Sequence, residues 1–437
     1  MKVLIVGSGG REHAIAEAFA RSRYNPKIYA VMSNINPGIK SLATDYLIEK
    51  ETNVPVVVRF AEDHNVDLAI VGPEAPLAAG LADELELAGI PTVAPVKNAA
   101  RLEFDKAWTR EFMARNKIKG TPRFKVYKEY DDACRYIEEF PDSVIKPAGL
   151  TGGKGVKVMG EHIKTLDEAK KYIAEVLKND RVVIEERLKG EEVTIMAFVD
   201  GKNLSPMPTV QDHKRAYEND QGPNTGGMGS YTDHTELLPF MFMTDYDEGV
   251  EIMKATVAAL DKTMGIKYKG VLYGQFMITS DGMKVVEFNA RFGDPEAMNV
   301  LTLLKSDFVD VCEAIVDGSL DKMKIDFDRS ASVCKYVVPE GYPDNPVKNS
   351  PLTVDEKPEF KVYYASVNEK DGKVFTTSSR SLAVVGVAET IAEAEILSEM
   401  GLANVHGKFH CRHDIGKEQL IRKRIEHMEA IRGDKAF

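Results

Sequence analysis

Cysteine is scarce in this chain: four cysteines occur in 437 residues, and no two of them form a CxxC pair. This scarcity argues against a disulfide scaffold and against a thiolate metal site, and it favours a reducing, cytoplasmic location. Long hydrophobic runs are also missing, since no stretch approaches the roughly 18 apolar residues that a membrane span needs. Met1 and Lys2 lead directly into apolar residues, so no signal peptide is expected. We therefore expect a protein without a membrane partner.

Positive charge is limited as well. The chain has 57 Lys and Arg against 68 Asp and Glu, which gives a formal net charge of −11. A broad nucleic-acid surface is not expected on such a chain, and no nucleic-acid partner is predicted. Anionic ligands would then be held by local loops and a few basic side chains. The length exceeds what one hydrophobic core usually holds and predicts about three domains.

The first motif is a strand, a glycine turn and a helix. Val3–Val6 predicts a buried strand, residues 7–10 (GSGG) form the turn, and a helix starts near Arg11. Free backbone N–H groups at such a turn suit a phosphate. A nicotinamide-dependent dehydrogenase is disfavoured, because Glu12 occupies the third glycine position of GxGxxG and no Asp or Glu occurs in residues 18–44. Equilibrium binding of NADH would test that alternative.

Two further segments carry candidate groups in the first third of the chain. The strand 67–71 is followed by GPEAP, which places Glu74 at the edge where open parallel sheets bind ligands. A carboxylate at a helix start is the alternative interpretation of Glu74. Residues 102–115 predict a single amphipathic helix that contains Lys106.

A glycine-rich loop follows the strand that ends at Lys146. Four glycines in seven residues surround one lysine, and such a loop can close backbone N–H groups over phosphates as a flexible lid. It is not a Walker A loop, because the glycine spacing is one residue short and Gly155 stands where a metal-binding Ser or Thr belongs. An ordinary hairpin turn is the alternative. The loop residues are Gly149, Gly152, Gly153, Lys154 and Gly155.

A segment of low hydrophobicity at 211–231 predicts a long loop, and its basic triplet 213–215 favours closure on an anion.

The chemistry is predicted to lie further on, in the strand 285–289. Glu287 and Asn289 share one face of that strand and offer oxygen ligands that suit Mg²⁺. Gln275, on the preceding strand, is expected to face them across the ladder. From about residue 326 the pattern changes to short strands, one helix and a charged terminal helix over 417–432.

Together these motifs resemble the glycinamide ribonucleotide synthetase family of the ATP-grasp superfamily. The match runs in order from residue 1 to about 416. The motifs are GSGGREH at 7–13, VGPEAPL at 71–77, QDHKR at 211–215, GPNTGGMG at 222–229 and RFGDPE at 291–296. The resemblance implies an α/β protein in three parts: a Rossmann-like substrate domain (1–100), an ATP-grasp domain (101–325, with a mobile lid subdomain at about 120–190) and a small β-rich domain (326–437).

The resemblance also implies roles for individual residues. Arg291 would hold glycine or its acyl phosphate, and Asp294 would lie near the amine. Mg²⁺ or Mn²⁺ would be bound by Gln275, Glu287 and Asn289. ATP would be bound by Lys106, Lys146, Gly149, Gly152, Gly153, Lys154, Gly155, Glu185, Leu188 and Glu192. The other substrate contacts would be Gly9, Gly10, Arg11, Glu12, Glu74, Asp212, Lys214 and Arg380.

Three positions depart from the usual pattern. Gln275 stands where many relatives in the superfamily place an acidic metal ligand. Pro147-Ala148 replaces a frequent Ala-Asp, and VYYAS at 362–366 replaces a frequent HAGT. The implied activity is ATP-dependent ligation of glycine to 5-phosphoribosylamine through glycyl phosphate, by a monomer. Another ATP-grasp carboxylate–amine ligase and a non-catalytic ATP-binding regulator are the alternatives.

Overall fold

A computed structural model describes residues 1–150 and 155–433. Gly152, Gly153 and Lys154 of the predicted glycine loop lie outside the described residues. No helix in the described part of the chain is long and apolar enough to cross a membrane. The predicted α/β architecture, with a parallel sheet first and antiparallel sheets after it, is confirmed.

The first unit is a parallel sheet with helices on both faces. Its elements are β1 (Lys2–Val6), α1 (Gly10–Ala20), β2 (Lys27–Met32), α2 (Pro37–Leu42), β3 (Ala43–Ile48), α3 (Val54–Asp63), β4 (Leu68–Val71), α4 (Glu74–Ala79), α5 (Leu81–Leu87) and β5 (Thr92–Val93). The strand order is β3-β2-β1-β4-β5, and all neighbours are parallel. Val3 to Val6 are fully buried, as expected for a strand covered on both faces. Since β1 and β4 are neighbours, the turn after β1 and Glu74 share one sheet edge.

The single helix predicted over 102–115 is wrong, because the structure has two helices there: α6 (Lys97–Phe104) and α7 (Lys106–Arg115). Asp105 leaves the helical region with φ −133° and ψ 85°, and its carboxylate accepts a hydrogen bond from the Trp108 N–H at 2.9 Å. Asp105 is thus the N-cap of α7. The apolar periodicity runs on through the break, which hides the break in the sequence. As a result Lys106 is the first residue of a helix.

The region predicted as a lid subdomain has its own sheet and its own apolar cluster. Its elements are β6 (Phe124–Tyr127), α8 (Tyr130–Glu139), β7 (Ser143–Pro147), β8 (Lys157–Val158), α9 (Leu166–Val176) and β9 (Val182–Glu186). The antiparallel order is β6-β9-β7-β8. Ile137, Ile145, Ile173 and Ile184 form the centre of the cluster. Lys146 and Glu185 therefore lie on neighbouring strands of one small layer.

The central part begins with a long strand. It also contains the metal strand, which is the strand with residues 285–289 that is predicted to bind a metal ion. Its elements are β10 (Glu191–Asp200), β11 (Leu204–Pro206), β12 (Gln211–Asp212), β13 (Arg215–Tyr217), β14 (Gln221–Asn224), β15 (Gly229–Thr232), α10 (Met243–Met264), β16 (Lys269–Thr279), β17 (Gly282–Asn289), α11 (Glu296–Leu303) and α12 (Phe308–Asp317). The antiparallel order β11-β10-β16-β17 sets Gln275 directly opposite Glu287. The sequence prediction of this pairing is confirmed.

The last part is rich in strands, as predicted. Its elements are β18 (Ala331–Pro339), β19 (Pro351–Val354), β20 (Lys361–Tyr364), β21 (Val367–Lys370), β22 (Lys373–Thr376), β23 (Leu382–Ala388), α13 (Ile391–Leu402), β24 (Val405–Gly407), β25 (Phe409–His410) and α14 (Glu418–Arg432). One sheet runs β12-β15-β18-β23-β20, with β25 also on β18, and a second runs β21-β22-β19-β24.

The long loop predicted at 211–231 is only partly a loop. Four strands of two to four residues lie in it: β12 pairs with β15, β15 also pairs with β18, and β13 and β14 form a separate hairpin. Strands this short leave no periodic pattern in the sequence, and β15 takes a partner distant in the chain. The segment thus connects the central part to the last sheet.

Candidate active site

A small cavity lies where α6 and α7 meet β7, β9 and β17, and side chains from all five elements line it. It brings together four residues that were singled out in the sequence: Lys106, Lys146, Glu185 and Glu287. Two lysines come from a helix start and an adjacent strand, and the two acids come from strands of different sheets. The cavity therefore combines positive side chains with hard oxygen atoms, the groups that a nucleotide phosphate and its metal require.

Glu185 lies at the centre of a buried ion cluster. Its carboxylate accepts from Arg110 Nε at 2.6 Å and from Lys146 Nζ at 2.7 Å, and its side chain is only 4% exposed. Burial raises the pKa of Glu185, but Arg110 and then Lys146 outweigh this effect and hold the pKa at about 2. Arg110 was missed in the sequence. It lies one helical turn after Lys106 on α7, a spacing that could have indicated it.

Glu185→Gln should flatten the dependence of stability on acidic pH. The folded pKa of about 2 lies below the ordinary value of 4.5, so the ionised carboxylate stabilises the fold fully above pH 4.5, and this stabilisation is lost as pH falls toward 2. Urea unfolding should show the free energy of unfolding of the unmodified protein falling more steeply than that of Glu185→Gln from about pH 5 to about pH 3. The control Glu251→Gln, with a side chain 69% exposed, should keep the original slope. Equal slopes for all three proteins would contradict the assignment.

The end of β17 presents Glu287 and Asn289 on one face, as the alternation predicted. Burial raises the pKa of Glu287, but the charges of Lys214, Lys106 and Lys146 outweigh burial and lower it overall. Asn289 is buried beside it. An ionised carboxylate and a neutral amide thus stand among three lysines, where an anionic ligand and a cation can be held together.

Gln275 faces this pair, but its amide is already engaged by protein side chains. Its Nε2 donates to Glu192 Oε2 at 2.8 Å, and its Oε1 accepts from the Tyr273 hydroxyl. The same Glu192 oxygen accepts from Lys214 Nζ at 3.1 Å. In this arrangement Gln275 supports Glu192, and Glu192 in turn holds Lys214 near Glu287.

Asp212 lies deeper in the same region. Burial and then the charge of Glu296 raise its pKa well above the ordinary value, although Lys214 and Arg380 act against them. Among the described residues, its Oδ1 atom is buried and has no hydrogen-bond partner. A Cβ on Gly227 would lie 2.5 Å from this atom, and glycine is required there because its φ is +112°. The orphaned oxygen is a possible ligand atom for a bound cation or for an amine.

Arg291 joins the metal strand to the first unit. Its Nη2 lies 2.9 Å from Glu103 Oε1, and its Nε lies 3.6 Å from Glu74 Oε2. Burial lowers the pKa of Arg291, but Glu103 and Glu74 outweigh this and raise it overall. Glu103 was missed in the sequence, where it reads as an ordinary helical acid. It also accepts a hydrogen bond from the Ala290 N–H at 2.7 Å, which fixes the chain just before Arg291.

Asp294 lies between the first and last parts of the chain. Its Oδ1 accepts from the Tyr336 hydroxyl at 2.5 Å and lies 3.3 Å from Arg380 Nη2. Arg380 Nη1 donates to the carbonyl oxygens of Asp294, Gly226 and Gly227, and its guanidinium stacks on the Tyr336 ring. The structure therefore brings Arg380 and Asp294 together. Tyr336 was missed because it reads as a core residue of β18.

The turn after β1 faces the same place. A Cβ on Gly9 would lie 3.5 Å from Asp294 Oδ2, and a Cβ on Gly10 would lie 2.7 Å from the Tyr336 hydroxyl. Glu12 lies beneath this turn, where its Oε2 accepts from the Gly9 N–H at 2.7 Å and its Oε1 from Arg11 Nε at 2.5 Å. Burial raises the pKa of Glu12 even though Arg11 opposes it. Gly9 and Gly10 therefore pack against Asp294 and Tyr336, while Glu12 and Arg11 hold the turn from beneath.

The remaining predicted residues lie around the cavity. Lys106 Nζ donates to the Gly149 carbonyl oxygen at 3.0 Å, and the Gly149 N–H donates to Asp180 Oδ2 at 2.7 Å. The Tyr172 hydroxyl donates to the Gly155 carbonyl oxygen at 2.6 Å. Leu188 lies in the connection between β9 and β10. The two described ends of the glycine loop are thus fixed, one of them to Lys106.

Three family models match the chain in order: the N domain of phosphoribosylglycinamide synthetase at residues 1–103, its ATP-grasp (A) domain at 104–297 and its C domain at 332–418. A phosphoribosylamine–glycine ligase of Methanocella arvoryzae is 78% identical over 433 residues, which covers 99% of this chain and 100% of the relative. One of Methanosarcina barkeri is 57% identical with the same coverage of both chains.

Solved structures give a consistent comparison. The crystal structure of phosphoribosylamine–glycine ligase from Thermotoga maritima matches with a TM-score of 0.80 and 31% identity, covering 95% of this chain and 100% of that one. A biotin carboxylase domain of the 2-oxoglutarate carboxylase from Hydrogenobacter thermophilus matches with a TM-score of 0.70 at 14% identity, covering 98% of this chain and 93% of that one. The second likeness concerns the fold alone.

Proposed function

The chain belongs to the phosphoribosylglycinamide synthetase family, and we propose that Glu287 and Asn289, with the lysines around them, form the phosphate-activating centre of its reaction. The reaction joins glycine to 5-phosphoribosylamine through glycyl phosphate, with cleavage of ATP to ADP and phosphate, and it is a step of purine biosynthesis. The sequence predictions of this activity and of the ATP-grasp fold are confirmed. The observation that carries the residue assignment is the cavity that gathers Lys106, Lys146, Glu185 and Glu287.

Members of the ATP-grasp fold use ATP and a divalent metal ion, and we assign Mg²⁺ here. Glu287 and Asn289 supply the hard oxygen atoms that this ion prefers, and the buried orphaned Oδ1 of Asp212 lies in the same region. When bound, the ion would offset negative charge on the phosphate oxygens. Lys106 and Lys146 would bind the phosphates, and Lys146 is fixed for this task by its bond to Glu185. The Leu188 backbone and Glu192 would contact the adenosine.

In the first step, a glycine carboxylate oxygen attacks the γ-phosphorus of ATP, the bond from phosphorus to the β–γ bridging oxygen breaks, and ADP leaves. Arg291 would orient the glycine carboxylate. Its guanidinium is held by Glu103 and Glu74, so it reaches the substrate from a fixed position. Lys214 would offset the charge that develops on the transferred phosphoryl group. Catalysis here is positioning and electrostatics, and no protein nucleophile is required.

In the second step, the amine of 5-phosphoribosylamine attacks the carbonyl carbon of glycyl phosphate, inorganic phosphate leaves, and the nitrogen loses a proton. Asp294 would lie at this amine, with Gly9, Gly10 and Arg380 around the phosphoribosyl group. Water must be kept from the acyl phosphate, and we assign this task to the glycine loop. That role stays a prediction for Gly152, Gly153 and Lys154, as do a monomeric state and a cytoplasmic location for the whole protein.

One experiment tests this assignment directly. Purified protein with ATP and Mg²⁺ is supplied with glycine, with 5-phosphoribosylamine, with both or with neither, and ADP and glycinamide ribonucleotide are measured. We expect sustained ADP formation only with both substrates. Equal ADP formation without glycine would contradict the ligase mechanism. Replacing glycine with each other amino acid in turn tests the alternative of a ligase for a different acid, which would then give the higher rate.

A further inference from the structure

The C-terminal helix α14 begins at Glu418, the residue at which the last matched family domain ends. It nevertheless packs on the central part of the molecule: Leu420 and Met428 are buried, and Ile421, Ile425 and Ile431 pack against the main core. Three basic side chains on the same helix, Arg424, His427 and Arg432, contact acidic groups of that central part. The helix is therefore packed into the fold, and its polar side chains contact segments that lie next to the candidate site.

The first contact is with β10. Glu191 and Glu192 are consecutive on this strand, so their side chains lie on opposite faces. Glu191 Oε1 lies 2.5 Å from His427 Nδ1, and Glu191 Oε2 lies 3.3 Å from Arg424 Nε. Glu192, on the other face, accepts from Gln275 and from Lys214. The contacts of His427 and Arg424 with Glu191 therefore fix the backbone from which the Glu192 side chain extends into the site.

The second contact is with the hairpin of β13 and β14. Asp220, at its tip, accepts from Arg424 Nη2 and from Arg412 Nη1, the latter at 3.0 Å. Burial raises the pKa of Asp220, but Arg424 and other neighbouring positive charges outweigh it and hold the pKa at about 2. Asn219 and Asp220 both have positive φ, at 58° and 55°, which is an unusual pair for two consecutive residues other than glycine. Lys214 directly precedes this hairpin.

We propose that Arg424 is a positioning residue for the ligase: by joining Glu191 to Asp220, it fixes the two segments that present Glu192 and Lys214 to Glu287. Its guanidinium suits this role, because a planar fork can meet two carboxylates at once and a lysine ammonium cannot hold both in a set geometry. The inference rests on the roles proposed above for Glu192 and Lys214. Arg424 is far from both residues in the chain, and it lies beyond residue 418, where the last matched domain ends.

The test is a pair of variants on one helix. Arg424→Ala should lower kcat/KM for ATP about tenfold, because small displacements of positioned groups cost rate. Arg422→Ala is the matched control: its side chain is 66% exposed and pairs with Glu418 on the same helix. It should leave kcat/KM within about twofold, because an exposed ion pair contributes little. Equal kinetics of the two variants would overturn the proposal.

A double-mutant cycle separates positioning from general stabilisation. The cycle compares Arg424→Ala, Lys214→Met and the double variant with the unmodified protein. For each, kcat/KM for ATP is measured at a temperature where every variant is folded. If Arg424 acts through Lys214, the double variant should be little worse than Lys214→Met, whereas independent effects would multiply. Multiplying effects overturn the proposal. If Arg424→Ala does not fold, Arg424→Lys and Asp220→Asn take its place in the same cycle. The unmodified protein in each series reports on the ligase activity itself, so failure of that activity is recognised separately.

Discussion

Glu287→Gln lowers kcat by about 10²- to 10³-fold, the loss expected when one preorganised charge is removed from a site that stabilises developing charge. Glutamine keeps the shape of the side chain and one oxygen, but it loses the negative charge that a divalent cation requires. The lysine charges hold the pKa of Glu287 low, so the carboxylate is ionised at neutral pH and the substitution changes the charge there. The loss should appear in kcat for glycine-dependent ADP formation.

The thermal midpoint of Glu287→Gln should stay within about 3 °C of the unmodified protein, because a stability change of about 1 kcal/mol shifts a chain of this size by only a few degrees. Glu251→Gln, the exposed match, should change neither kcat nor the midpoint. Titration of kcat with Mg²⁺ adds a second measurement, in which Glu287→Gln should need more metal ion for half-maximal rate. A variant that melts normally and retains full activity would remove Glu287 from the proposed centre.

The metal strand illustrates what could be predicted from sequence. Alternation along residues 285–289 places Glu287 and Asn289 on one face, which follows from local geometry that the sequence specifies. The exact partner of Gln275 does not follow from the tight turn, because a register shift between Gln275 and Phe276 sets Gln275 opposite Glu287. The break at Asp105 is also local, but the apolar pattern continues across it. The non-helical backbone of Asp105 and the hydrogen bond that its carboxylate accepts from the Trp108 N–H distinguish two helices from one.

The partners of the site residues were harder to predict, because they lie far away in the chain. Arg110 meets Glu185 across 75 positions, and Tyr336 meets Asp294 across 42. Each residue has an ordinary local role, Arg110 on an amphipathic helix and Tyr336 in a buried strand. Their contacts depend on how separate sheets pack, which no short pattern encodes. The family resemblance predicts which residues face the substrates, but it gives no indication of Arg110, Glu103 or Tyr336, which hold some of them.

Asp294→Asn should separate the two steps of the reaction. We expect formation of glycinamide ribonucleotide to fall about 10²-fold or more, the range for loss of a group that assists proton transfer. The attacking amine becomes positively charged as its bond to carbon forms, and it must lose a proton. An aspartate held by Tyr336 and Arg380 beside the Gly9 turn is placed to stabilise that charge and to accept the proton. Asparagine keeps the shape but can do neither.

Formation of glycyl phosphate should survive the same change, because the groups assigned to that step lie on β17 and around the cavity. Hydroxylamine can replace the amine: it traps glycyl phosphate as glycine hydroxamate, which is measured by its coloured iron complex. In Asp294→Asn, hydroxamate formation should stay within about threefold of the unmodified rate while the ribonucleotide product falls by the larger factor. Asp328→Asn, with a side chain 47% exposed, controls for the loss of one carboxylate. An equal fall in both products would place Asp294 in activation or in folding instead, since a residue that acts only on the amine cannot slow a step that occurs before the amine attacks.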